Sequence, residues 1–267
     1  MGILHGEKGS KSSAALQQLP APLRSTPTNG NVECYLKAPM TVVCKEYEQM
    51  NNGYGCKLEV PSMHFGLAAA GFPWIDPYDF KNKLLHLSNC LPLIVLQRDR
   101  GEGVVSLNSK GLPSISYNLS KPDAASMMTG MLGSLELFVT AGCDYASTSH
   151  NNDYGLDIEQ EQAEVEDSAD LLKNAKVRKY FREVESRGLD KHRIGVFSAH
   201  QMGSCRMGLR QEESAVDVDG QLWECDGLFV MDASVFPSAS GANPMLTTYA
   251  ISHMLSDRLA KRLSNEE

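Results

Sequence analysis

Apolar positions along this chain recur with two different periods, and the switch between them separates strand-forming from helix-forming stretches. From Cys34 to Val43 and again from Tyr54 to Val60 they alternate or cluster as short β segments, with Asn51-Asn52-Gly53 as the turn between, which predicts a strand pair. Leu84 to Leu96 is apolar for most of its length; its first half fits helix or strand, whereas Ile94-Val95-Leu96-Gln97-Arg98 reads as strand. Gly103 to Leu107, a turn at Asn108-Ser109-Lys110-Gly111, and Pro113 to Tyr117 predict a hairpin. All these strands are expected in one antiparallel or mixed sheet.

The period then lengthens. Ser120-Lys121-Pro122-Asp123 is a helix start, because a serine hydroxyl can cap free amide groups and proline has no N–H to waste in a first turn. Met127, Met131, Leu135 and Phe138, flanked by Met128, Leu132 and Val139, recur at three- and four-residue steps until Gly142, which predicts a core-facing helix. A second helix is expected from Asp170 to Arg187, ended by Gly188. A third follows Pro244, with Leu246, Ala250, Met254, Leu255, Leu259 and Leu263 at helical steps. Residues 7–31 show no apolar period and are rich in Lys, Ser, Gln, Pro, Thr and Asn, the composition of a flexible leader. Residues 144–169, with Glu159, Glu161, Glu164, Glu166 and Asp167, read as a solvated or partly helical acidic excursion. The expected organisation is a leader over 1–31, a domain over 32–195 carrying that excursion, and a C-terminal segment over 196–267.

At 267 residues with 42% hydrophobic residues the chain can bury a real core, and a net charge of −8 argues against nucleic acid, whose phosphates need clustered Lys and Arg. The seven cysteines stand singly, without metal-ligand spacing, so no metal is expected and a reducing, intracellular setting is. The longest apolar run, Leu91 to Leu96, is far short of the roughly 20 residues that cross a bilayer, and no signal peptide is visible.

Three segments near the C-terminus carry candidate chemistry. Ser198-Ala-His-Gln-Met-Gly-Ser-Cys-Arg-Met-Gly208 sets His200 before a glycine turn; a histidine can take a proton near neutral pH and return it, although a lone one is more often structural. Gly227-Leu-Phe-Val-Met-Asp-Ala-Ser-Val-Phe-Pro237 reads as a buried strand from Leu228 to Met231, ending in Asp232-Ala233, where Asp232 is either a ligand-binding carboxylate or a turn former. In Ser238-Ala-Ser-Gly-Ala-Asn-Pro-Met245, Asn243 fits the N-cap and Pro244 the first turn of the last helix, so the helix's positive end would face an anion; a plain cap is the alternative.

Taken together, these motifs resemble the C-terminal signature of the glucose–methanol–choline (GMC) family of flavin oxidoreductases, and the His-Gln-Met-Gly-Ser-Cys-Arg-Met-Gly wording resembles its long-chain alcohol oxidases. The resemblance implies an α+β fold: a substrate domain with a mixed or antiparallel sheet backed by helices, plus a C-terminal strand and helix that complete an FAD-binding Rossmann-like domain. Its Gly-x-Gly-x-x-Gly turn has no counterpart in these residues, so a fragment or a truncated paralogue is expected. By the same resemblance FAD is the cofactor, faced by Asp232, Ala233, Asn243, Pro244 and Met245. His200 is implied to accept the proton of a long-chain alcohol and Asn243 to orient its oxygen, with O2 as the final oxidant and H2O2 as product. Full-length relatives are expected at a membrane surface. Rival expectations are a non-catalytic module for an apolar ligand or partner, and a dehydrogenase or hydroxynitrile lyase; the lyases resemble the family with histidine where Asn243 stands.

Overall fold

The computed structural model describes residues 2–5, 42–87, 90–158, 168–189 and 192–265. Most of the expected leader, the Cys34–Thr41 part of the first strand and the Glu159–Asp167 part of the acidic run lie outside them. The fold is α+β, and the chain divides into two compact units, Met1–Gln97 with Leu119–Val196 and Arg98–Asn118 with Phe197–Glu267.

The first unit is built on a six-stranded sheet. Its strands are β1 (Gly2–His5), β2 (Val43–Cys44), β3 (Cys56–Glu59), β4 (Leu91–Gln97), β7 (Tyr145–Ser147) and β8 (Leu156–Asp157), in the order β2-β3-β4-β1-β7-β8 with every pairing antiparallel. Gly2–His5, expected in the leader, therefore pairs at the centre of the sheet. Between β2 and β3 the turn α1 (Met50–Gly53) puts Asn51 and Asn52 at φ of 51° and 61°, a left-handed conformation that asparagine tolerates. The ambiguous 84–96 stretch is both structures in succession: a helix ends at Leu85 and a strand begins at Leu91. That helix, α3 (Pro77–Leu85), and the one before it, α2 (Phe65–Gly71), start at Asp76 and His64, whose side chains accept amide hydrogens from the first turn.

The long helix α4 (Lys121–Thr140) backs the sheet. Ser120 Oγ accepts from the Asp123 amide at 3.2 Å, as its position predicts, and Met131, Leu135, Phe138 and Val139 are buried. The buried face also includes Ser126, Gly130, Gly133 and Ser134, which lets the helix lie close on the strands: a Cβ on Gly130 would fall 2.6 Å from Cys56 Sγ and 2.7 Å from Val95 Cγ1. The helix expected over 170–187 is broken at Asn174, which caps α5 (Ala175–Arg187) after a 3-10 turn at Ser168–Lys173; Gly188 at φ 65° ends it.

The largest departure from expectation is at residues 144–158. This polar run is not a solvated excursion: Asp144, Ser147, Thr148, Ser149, His150 and Asp153 are all buried. Buried polar side chains need hydrogen bonds, and Thr148, His150 and Asp153 make theirs to one another and to their surroundings. Asp153 Oδ2 accepts from the Thr148 amide (2.7 Å), Thr148 Oγ1 (2.6 Å) and the Tyr180 hydroxyl (2.8 Å), while Oδ1 accepts from the Gly155 amide and pairs with Arg187, each at 3.1 Å. These hydrogen bonds hold the Asp153 carboxyl below its ordinary range although burial opposes them. His150 Nε2 donates to the Gly188 carbonyl at 2.8 Å and Nδ1 lies 2.7 Å from Thr148 Oγ1; burial pushes this imidazole below the ordinary histidine range.

In the second unit, the hairpin strands β5 (Val104–Leu107) and β6 (Pro113–Ser116) form a separate two-stranded sheet. The expectation of a single sheet fails here because every residue of both strands is exposed, so no face of the hairpin is held by a neighbouring layer within the unit. The hairpin falls in the same unit as the C-terminal segment and not with the rest of 32–195. Its turn forms as read: Asn108 Oδ1 accepts from the Lys110 and Leu112 amides, and Gly111 takes φ 72°. The last helix, α6 (Met245–Asn265), packs on a small cluster of Val216, Val235, Phe236 and Leu255.

Candidate active site

His200 is half-buried in an irregular segment that the backbone straps down two residues at a time. Gly203 N donates to Ala233 O (3.3 Å), Cys205 N to Ser234 O (2.9 Å) and Met207 N to Val235 O (2.9 Å). Gly203 makes the turn possible at φ 83°, and a Cβ there would come to 3.3 Å from Phe236 O. Met202 and Met207 pack against the Val216, Val235, Phe236 and Leu255 cluster, which fixes both ends of the strap.

Residues 228–231 do not form the expected buried strand. Leu228 is 50% exposed, and the only pairing in this stretch among the described residues is an isolated bridge from Phe229 to Gln221, which is too little to make a ladder. The chain then turns in a 3-10 helix at Ala233–Val235. Asp232 caps it, its Oδ1 accepting from the Ser234 amide at 2.8 Å, and hydrogen bonds from the Ser234 hydroxyl and amide hold this exposed carboxyl below its ordinary range. Asp232 is thus a turn former here and presents its charge to solvent. Ala233 spends its carbonyl on Gly203 N and on Phe236 N.

Asn243 is exposed and lies one residue ahead of its expected place. Helix α6 begins at Met245, and the Pro244 carbonyl accepts from the Thr248 amide (2.7 Å) and hydroxyl (2.9 Å), so Pro244 takes the capping position. Met245, Leu246 and Tyr249 leave 61%, 75% and 64% of their surface uncovered in the first turns of this helix. Further along, Ser252 Oγ donates to Met231 O and Leu255 is buried, so the helix is fastened beside Asp232. The His200 strap, the Asp232–Ala233 turn and α6 thereby share one cluster of side chains, with Asn243 at the open end of the helix.

Sequence reasoning missed Arg98. Its Nε donates to Ala239 O at 3.0 Å, and its stem lies beneath Gly241, so the loop leading to Asn243 is held by a residue 141 positions earlier. No local pattern around Arg98 signals that contact.

The profile of the GMC oxidoreductase family matches residues 99–252, which includes the His200 strap, the Asp232 turn and the first turns of α6. The chain belongs to this family. Long-chain-alcohol oxidase FAO4A of Arabidopsis thaliana is 34% identical over 209 residues, covering 78% of this chain and 27% of that protein. Long-chain-alcohol oxidase FAO3 of the same plant is 32% identical over 211 residues, or 78% of this chain and 26% of the relative. The chain thus spans about a quarter of the length of these relatives. C-glycoside 3-oxidase of Arthrobacter globiformis is 38% identical over 69 residues, covering 26% of this chain and 13% of its own. Among solved structures, Aspergillus oryzae formate oxidase matches with a TM-score of 0.51 at 16% identity, covering 83% of this chain and 34% of that one, a likeness of fold.

GMC oxidoreductases are flavin enzymes, and the residues here fit the ring end of such a cofactor. The first turn of a 21-residue helix carries amide N–H groups and the positive end of the helix dipole, suited to negative charge, and it stands in the open beside Asn243 with the apolar surface of Met245, Leu246 and Tyr249 next to it. Among the described residues no helix is long and apolar enough to cross a membrane.

Proposed function

We propose that this chain supplies the proton-accepting and substrate-orienting end of an FAD-dependent oxidase that converts long-chain primary alcohols and O2 to aldehydes and H2O2, working as the C-terminal part of a longer flavoprotein. What carries the reading is the strapping of the His200 segment onto the Ala233–Val235 turn and its packing beside α6, in a chain of the GMC family. FAD, when bound, supplies the acceptor for the hydride leaving the alcohol carbon and passes both electrons to dioxygen.

The chain's own residues do the rest. His200 takes the hydroxyl proton as the C–H bond breaks, which leaves aldehyde rather than alkoxide, and Asn243 Nδ2 donates a hydrogen bond to the substrate oxygen, fixing the carbon's approach. Met245 and the first amides of α6 would hold the ring end of the flavin, the amides favouring negative charge there. Asp232 and Ala233, through their turn, would help to hold the cofactor. The substrate class comes from the alcohol oxidases among the relatives, and a membrane surface as the place where such alcohols are met follows by the same analogy.

The test is oxygen uptake and peroxide release with a long-chain primary alcohol, measured on protein loaded with FAD. Turnover that falls by roughly two to four orders of magnitude in His200→Ala supports the reading. A protein that stays colourless with FAD and turns over no alcohol, alone or joined to a flavin domain, returns the chain to its other reading, a module for an apolar ligand or partner.

A further inference from the structure

We propose that Arg98 is the positioning residue of this site: it sets the conformation of the Ala239–Asn243 loop and so the place from which Asn243 meets the substrate. Two contacts point to it, and a third holds the loop's own shape. The half-buried Arg98 donates its Nε–H to Ala239 O at 3.0 Å, which fixes the entry of the loop. The loop then folds over the arginine stem at Gly241, where φ is 63° and a Cβ would sit 2.7 Å from Arg98 Cδ and 2.9 Å from its Cβ and Cγ. A side chain at 241 would meet both a left-handed backbone and the arginine, so glycine at 241 and arginine at 98 are matched to each other. Finally Ser240 Oγ donates to Ala242 O at 2.6 Å, which closes the loop on itself, while Arg98 ties it to the rest of the unit through the Ala239 carbonyl.

Arginine suits this work better than lysine. Its Nε–H lies in a rigid plane partway along the side chain, so one residue can donate laterally to Ala239 while its methylenes pack under Gly241.

The role of Asn243 in this proposal rests on the alcohol-oxidation reading, but the placement of the loop does not, and the experiment separates the two. Backbone 15N order parameters are measured for residues 239–243 and, as a control, for Gly203, Cys205 and Met207, whose amides are held by the Ala233–Val235 turn. In Arg98→Ala the loop values are expected to fall from about 0.85 to below about 0.6 while the control values stay high, and millimolar methylguanidinium is expected to restore them. Arg98→Met keeps the stem and loses the Nε–H, so it should loosen residue 239 more than residue 241; it also decides the matter if the alanine variant does not fold. Gly241→Ala should loosen the loop in the wild type and have a smaller added effect in Arg98→Ala, where the clash with the arginine is gone and only the backbone cost at φ 63° remains. In FAD-loaded protein Arg98→Ala should lower kcat at least tenfold with a smaller change in KM. Loop values unchanged in both Arg98 variants, or a loosening that spreads equally to the control amides, overturns the proposal. A loop that loosens as described beside a harmless Asn243→Ala would instead keep Arg98 as the loop's anchor and remove the chemistry assigned to Asn243.

Discussion

The two units differ in what holds them. Among the described residues, nineteen buried apolar side chains of the first form one cluster between the six-stranded sheet, α4 and α5; in the second only four do, and the described chain there is mostly turns fastened by backbone bonds. The first unit also buries a polar network around Asp153; it leaves Phe65, Tyr78, Leu85 and Tyr154 more than half uncovered, and the smaller second unit leaves Leu209, Met245, Leu246, Tyr249 and Leu263 so. On the proposed reading, stability and chemistry are given to different parts of the chain. A self-sufficient core needs no ligand to stay ordered, while a segment that must receive a cofactor keeps its apolar surface open and depends on a few well-placed ties.

This contrast can be broken by mutation. Phe138→Ala in α4 removes a fully buried ring and should cost about 3–5 kcal/mol, with the first unit's chemical unfolding midpoint falling accordingly. Leu255→Ala should cost about 2–4 kcal/mol. Because it takes away one of four buried apolar side chains, it should strip hydrogen-exchange protection from Gly203, Cys205 and Met207 while the amides of α4 keep theirs. Equal loss in both units would show that they share one core.

A smaller effect should come from the polar network. Arg187→Ala leaves Asp153 with its neutral donors, and should cost about 1–2 kcal/mol, read as a shift in the urea midpoint of the first unit. Acid should act on the same network. The folded-state pKa of His150 lies below its ordinary value of 6.5 and that of Asp153 below 3.8, so the folded state binds fewer protons than the unfolded one in both windows. Their stabilisation is therefore complete above the ordinary values and is lost as pH falls, first through the histidine range and then through the carboxylate range. Stability of the first unit measured from about pH 8 to about pH 5 should decline, and His150→Asn should flatten that decline. A profile that rises on acidification would contradict the assignment.

The mildest probe is thiol labelling. Burial pushes the Cys56 thiol up to about 11 from 9.0 and raises Cys143 further, so both should resist alkylation in the native state. At neutral pH Cys56 then carries about a hundredfold less thiolate than an ordinary cysteine, and the thiolate is the form that reacts. Of the described cysteines Cys225 is the exposed one and should label before the others. Fast native labelling of Cys56 would mean that the sheet of the first unit opens readily.

Much of this was legible in the sequence where the determinants are local. Ser120 and Gly142 bracket α4 as capping chemistry requires, and the Asn108–Gly111 turn closes the hairpin through the asparagine side chain. The His200 motif pointed to the family, and its glycine at 203 does make the turn. What escaped was set at long range. The run from Asp144 to Asp153 reads as solvated because it is polar, yet its burial is decided by Tyr180, Arg187 and Gly188, which lie up to 38 residues further on. Leu228–Met231 reads as a buried strand because it is apolar, yet a strand needs a ladder, and among the described residues it makes a single bridge, Phe229 to Gln221. Arg98 gave no sign at all, since its partner is the carbonyl of a distant alanine.

The claim on which the functional account turns is that His200 takes the proton of the alcohol. The direct measurement is anaerobic mixing of FAD-loaded protein with a long-chain primary alcohol, following the bleaching of the flavin's visible absorbance in the wild type and in His200→Ala. The account predicts prompt bleaching in the wild type and a rate lower by roughly two to four orders of magnitude in the variant. Equal rates in the two proteins would contradict it.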